Sequence, residues 1–337
     1  MANNAVTAKA RAVYGKFLKK DDYISLIHKG SIAAAIAFLK TKPLYADDFA
    51  DVAESSIRRK QAEELIHKNA FDNYMRVCRF ASGDKTGIMS FHIKQLECEQ
   101  LTKAIIAVSS GNQEDFVMSY PEYISEHLAF DPIRLAASKN LPEVSAAIKG
   151  TMYRKALDPL LNDPKPDINR IVTMINVCYI KWAFEQIERT ERGAAAEQLK
   201  EFFLRKTDAD NLLMCYRLKS TFGDNSSITE LLIPYHKRLR TRDIKEALKM
   251  QDPVSALRDL FVKIRAATPA YSDIPEISVN MADHKYFRHR LAVSTNETES
   301  LYALMMLFRT ESMNLCRIIE GLRYGLPPEE IEKYLII

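Results

Sequence analysis

The sequence predicts an all-α protein built from three similar helical units. Three observations carry that expectation. Amphipathic periodicity of helical type recurs along the chain, no stretch alternates cleanly over six or more residues, and no Asn-Gly or Asp-Gly hairpin dipeptide occurs. Glycine is scarce, at 10 of 337 residues, and charged residues make up 27%, the balance of a helix-rich chain. One short pattern, an acid followed three residues later by an amide and then leucine, occurs at three places at near-equal spacing.

The elements follow in chain order. In KKDDYISLIHKGSIAAAIAFLK, Asp21 is placed to cap a helix running to His28, with Gly30 as its stop. Ser31 caps the next helix, which carries Ile32, Ala35, Ile36 and Leu39 on one face. In DINRIVTMINVCYIKWAFEQIERTERG, Ile171, Met174, Ile175, Cys178 and Trp182 recur at helical spacing, and Gly193 is expected to end the run. The closing RTESMNLCRIIEGLRYGLPPEEIEKYLI predicts a helix, a glycine stop and a short second helix. Turn-forming stretches fall at 109–116, 162–167, 222–227 and 268–276. The first and third cut the chain into near-equal pieces, giving expected domains 1–112, 113–224 and 225–337.

The repeated pattern sits once in each piece: Glu97, Gln100 and Leu101; Asp208, Asn211 and Leu212; Glu311, Asn314 and Leu315. Gln100 to Asn211 is 111 residues and Asn211 to Asn314 is 103. Asparagine is a mediocre helix former because its side chain competes with the backbone for hydrogen bonds. On a helix, acid and amide three apart share a face. The expected role is structural: in each unit the pair ties its helix to a neighbouring loop or helix. The competing reading is direct contact with a partner. A weaker echo precedes each copy, a small-residue helix leading through threonine to Tyr45, Tyr153 and Tyr271.

Composition excludes several classes. The formal charge of +4 permits an acidic partner without demanding nucleic acid. Five cysteines, at 78, 98, 178, 215 and 316, are odd in number and lack zinc-finger or CxxC spacing, so reduced thiols are expected. The first residues lack a signal-peptide core, and the longest apolar stretches, SIAAAIAFL and LYALMMLF, fall short of the ~20 residues a spanning helix needs.

With the repeat in view, the two ends of the chain resemble the C-type central-stalk subunit of bacterial and archaeal V/A-type ATPases, the family whose eukaryotic members are designated d. At the C-terminus the resemblance rests on Glu311, Asn314, Leu315, Arg317, Gly321, Gly325, Leu326 and the acidic segment 329–335. At the N-terminus it rests on ARAVYGKFLKKDDYISLIHKGSIAAAIAFLKTKPLY, and in the middle on residues 208–219. Gln100 departs from the asparagine of the other copies, and Ala46 stands where the family often has glycine. The resemblance implies three helical domains around a pseudo-threefold axis, forming a funnel. It also implies a non-catalytic central-stalk rotor subunit, without cofactor, that couples the shaft subunits to the membrane rotor ring for ion transport or ATP synthesis. The implied protein is monomeric within its complex, peripheral on the cytoplasmic face, and membrane-associated only through that complex.

Other chemistry is weak. SGDKTG at 82–87 lacks the glycine pattern of a phosphate loop. His284 and His289 are five apart, where ligand pairs on a helix sit four apart. No Gly-x-Ser-x-Gly elbow or activated cysteine appears. Basic residues gather at 236–245, usually a solvated helix face. The alternative function is a helical-repeat scaffold binding protein or nucleic acid through this basic third. As candidate partner contacts we single out Tyr45, Tyr153, Tyr271, Lys237, Arg238, Arg240 and Arg242.

Overall fold

A computed structural model describes residues 3–81, 86–118, 121–223, 228–266 and 272–337. Among these residues all regular structure is α-helix or short 3-10 helix, with no strand. Two compact units result. The first joins both ends of the chain, Met1–Ile88 with Arg265–Ile337, and the second is Met89–Ile264. The divisions at 88 and 264 differ from the expected domain limits at 112 and 224. The signature copies at Glu97 and Asp208 therefore share the second unit, while the copy at Glu311 lies in the first.

In the first unit the helix Glu297–Arg323 is central, packed against Arg59–Cys78, Pro275–Val293 and Asn3–Tyr14. Asn296 caps it by accepting the Glu299 N–H at 2.8 Å. Because neighbours surround this helix, polar Glu299, Ser300, Glu311 and Asn314 are buried along with its leucines. Glu299 is paired with Arg290 and accepts from the Ser294 hydroxyl at 2.7 Å, so its charge is compensated.

The predicted glycine stop is present. Gly325 adopts φ 64°, and the Leu326 N–H returns to the Gly321 carbonyl at 3.0 Å, closing the helix end. The short helix Pro328–Glu332 then folds back so closely that a Cβ on Gly321 would lie 2.6 Å from Ile331 Cγ1. Gly321→Ala is therefore expected to lower stability by about 1–3 kcal/mol through overpacking. Chemical denaturation measures this, and an unchanged midpoint would show that Ile331 moves aside freely.

In the second unit, helices Ile168–Thr190 and Gly193–Phe222 are neighbours. Leu101 and Ile105 of helix Thr86–Ser110 join Tyr153, Leu157, Ile171 and Ile175 in one apolar core. Two boundaries differ from expectation. The helix expected to be capped by Asp21 and to run to His28 spans Lys20–Ile27, with Lys19 at its N-cap and the Asp22 carboxylate accepting the Lys19 N–H at 2.9 Å. Gly193, expected to end a helix, begins the next one with φ 59°, the preceding helix having stopped at Thr190. Ser31 caps Ile32–Lys40 as expected, accepting from the Ala34 N–H at 3.2 Å.

Candidate functional site

Each signature helix carries an acid that holds backbone from another segment. Asp208 accepts the N–H groups of Lys237, Arg238 and Leu239 at 3.1, 2.7 and 3.2 Å. Glu97 accepts from the Ala129 N–H at 2.8 Å, the Tyr153 hydroxyl at 3.2 Å and the Lys94 ammonium at 2.8 Å. Glu311 accepts from the Leu18 N–H at 3.3 Å and the Tyr45 hydroxyl at 2.5 Å, both on Oε1.

The two asparagines repeat one geometry. Asn211 donates to the Ile233 carbonyl at 3.0 Å and accepts the Ile233 N–H at 2.9 Å. Asn314 does the same with Ile336, at 2.8 and 2.9 Å. In both cases the grasped residue is 22 positions on. An amide side chain presents donor and acceptor side by side, so it can satisfy both polar groups of one backbone residue, which leucine or glutamate cannot. Gln100 breaks the pattern: its Oε1 is buried and unpartnered among the described residues. One methylene longer, it does not reproduce the two-point grip. Leu101, Leu212 and Leu315 are fully buried beside the clamps. Arg317 extends the third clamp, donating to the Tyr334 carbonyl at 2.6 Å.

The pairing of tyrosine with acid differs from chain order. Tyr153 bonds Glu97, an acid that precedes it, and Tyr45 near the start bonds Glu311 near the end. The third copy is thus completed by the opening residues of the chain. Tyr271, the remaining counterpart, and residues 82–85 of the SGDKTG stretch lie outside the described residues.

Burial separates the sequence candidates. Tyr45 and Tyr153, expected to touch a partner, are 2% and 0% exposed and turn their hydroxyls onto acids, so they offer a partner no surface here. Lys237, Arg238, Arg240 and Arg242 are exposed. The basic run is not a helix face along its whole length. Residues 236–240 form the loop gripped by Asp208, and helix Thr241–Leu248 starts only afterwards. Lys237 pairs with Glu201, and Arg242 with Glu246 at 3.5 Å.

The clamps differ electrostatically. Burial pushes the Asp208 carboxyl upward, and its backbone donors pull it back. Asp208→Asn removes the charge and one acceptor. It is expected to cost about 2 kcal/mol, read from urea denaturation; an unchanged midpoint would mean the loop N–H groups are satisfied otherwise. Burial raises Glu311 to about 8, its two hydrogen bonds only partly opposing this. The Tyr45 hydroxyl beside it is pushed well up, by burial first and then by Glu311.

Glu311 also lines a cavity of about 370 Å³ within the first unit, with Tyr14, Lys19, Lys20, His284 and Arg288. Burial, aided by Arg288, lowers His284 to about 4, and its Nδ1 is buried and unpartnered among the described residues. Sequence reasoning found Glu311 by its repeat. It weighed His284 only against His289 as a metal pair and missed the cavity, since no spacing links Tyr14, Lys20 and Arg288. Among the described residues no cluster of metal-ligating side chains occurs, and no helix is long and apolar enough to cross a membrane.

A comparison with curated proteins gives no match. A family match covers residues 6–334, including the acid, amide and leucine of all three signature copies, under the description ATP synthase (C/AC39) subunit. With all three signature helices inside that span, the chain belongs to the ATP synthase (C/AC39) subunit family of V/A-type ATPases, which includes the eukaryotic d-type members.

Proposed function

We propose that this chain is the non-catalytic coupling subunit of a V/A-type rotary ATPase, linking the central-stalk shaft to the membrane rotor ring. The observation that carries the proposal is the family match over nearly the whole chain, residues 6–334. The clamps support it physically. A part that transmits torque must resist relative sliding of its helices, and buried two-point hydrogen bonds fix register where apolar contacts alone permit slippage. The threefold division into 1–112, 113–224 and 225–337 belongs to the same reading, supported by the recurrence of acid, amide and leucine at 97–101, 208–212 and 311–315. In this reading the protein works as one copy per complex, peripherally on the cytoplasmic face, with shaft and ring as partners and no nucleic acid. The exposed arginines of the 238–242 loop and helix start are its candidate contacts with acidic groups.

Affinity capture of the tagged chain from detergent-solubilised membranes tests the reading. Recovery of shaft and ring subunits in fixed ratio is expected. Recovery of nucleic acid or unrelated proteins, with no ATPase subunit, would replace it with the scaffold alternative.

A further inference from the structure

We propose that the cavity beside Glu311 is a binding site for a small phosphate-bearing anion. Lys19 and Lys20, at the start of helix Lys20–Ile27, and Arg288, from helix Pro275–Val293, line this one space of about 370 Å³. They come from segments more than 260 residues apart in the chain. All three are exposed, and none forms an ion pair with a carboxylate among the described residues. Asp22 faces Lys19 electrostatically, and with Lys20 and Arg288 on the same lining an excess of positive charge remains that a bound anion offsets.

Glu311 is the one acidic side chain lining the cavity, and burial keeps it protonated up to about 8. Its donors Leu18 N–H and Tyr45 hydroxyl both meet Oε1, which leaves Oε2 to carry the proton. A neutral carboxyl in that position is a hydrogen-bond donor rather than a repelling charge. His284 adds a second neutral group with an unpartnered buried nitrogen. The Tyr14 and Thr310 side chains add hydroxyls, and Phe17 and Leu307 an apolar wall.

The volume lies at the lower end of the range for small-molecule sites. Three cations match a doubly charged phosphate monoester better than a single carboxylate, and the Arg288 guanidinium can bind two phosphate oxygens at once. The neutral Glu311 carboxyl and Tyr14 hydroxyl on the same lining suit the hydroxyl-bearing body of such an ester.

The test is calorimetric titration of the full chain at neutral pH with glycerol 3-phosphate. Alongside it, phosphatidylcholine vesicles with and without phosphatidic acid are tested by co-sedimentation. Saturable binding of one glycerol 3-phosphate is expected, weakened about tenfold or more in the Lys20→Gln, Arg288→Gln double variant. Both positions are exposed, so the double variant should melt like the parent; Lys19→Gln provides a second, independent loss. Binding confined to phosphatidic acid vesicles and abolished by the double variant would support the site and assign the phosphate to a lipid headgroup. No saturable binding of either probe, or equal binding by the double variant and the parent, would overturn the proposal.

Discussion

Raising the pH from about 5 to about 9 is expected to destabilise the unit built from the two ends of the chain, and Glu311→Gln should remove most of that loss. The sign follows from where the proton sits. Burial holds the folded carboxyl near about 8, above its ordinary value of 4.5. Below the ordinary value both folded and unfolded chains carry the proton, and the stabilising contribution is complete. Between the two values the unfolded chain has released it while the folded chain retains it, so stability falls by about 1.4 kcal/mol per pH unit. The loss is complete once the folded group ionises, and it totals several kcal/mol. Around the carboxyl stand Tyr45, Tyr23, Tyr14, His284 and Arg288, with Asp22 nearby raising it further. Asp208 is also raised and contributes in the same direction from the other unit. The quantity to measure is therefore the difference between parent and Glu311→Gln in urea midpoint across that range. Parallel curves would mean that Glu311 is ionised in the folded protein at neutral pH.

Replacing Asn314 with leucine is expected to cost about 2–4 kcal/mol. The substitution strands the N–H and the carbonyl of Ile336, both buried bonds of normal length in the parent. Leucine matches the volume roughly but offers neither donor nor acceptor. Unfolding should begin in the first unit, with Ile336 and Leu335 losing amide protection before the residues of the second unit. If the variant melted like the parent yet lost partner binding, the asparagine would be a contact residue and the clamp account would fail.

How much of this was legible in the sequence depends on range. The cap at Ser31, the stop at Gly325 and the short helix after it are local, written in residues that lie within one turn of each other. The acid and amide signature was also visible, because a helix puts both on one face. What they grip was not. Ile233 and Ile336 show no pattern of their own, since the amide reads their backbone and not their side chains. The tyrosines were singled out as candidate partner contacts, but the acids their hydroxyls meet were not legible. A tyrosine at the end of a small-residue helix looks the same in sequence whether its hydroxyl faces water or a buried acid. Only closure of the chain's start onto its end shows that Tyr45 belongs with Glu311. The cavity was illegible for the same reason, its cations coming from residues 19–20 and 288. Gly193 was misread because a glycine with positive φ can end one helix or open the next, and only the backbone decides.

The most direct test of the coupling role is add-back to membranes depleted of this chain. ATP hydrolysis and ATP-driven ion uptake would be measured on the same vesicles. The account predicts that hydrolysis persists after depletion while ion uptake is lost, and that the purified chain restores uptake. Uptake that continues undiminished without the chain would contradict it.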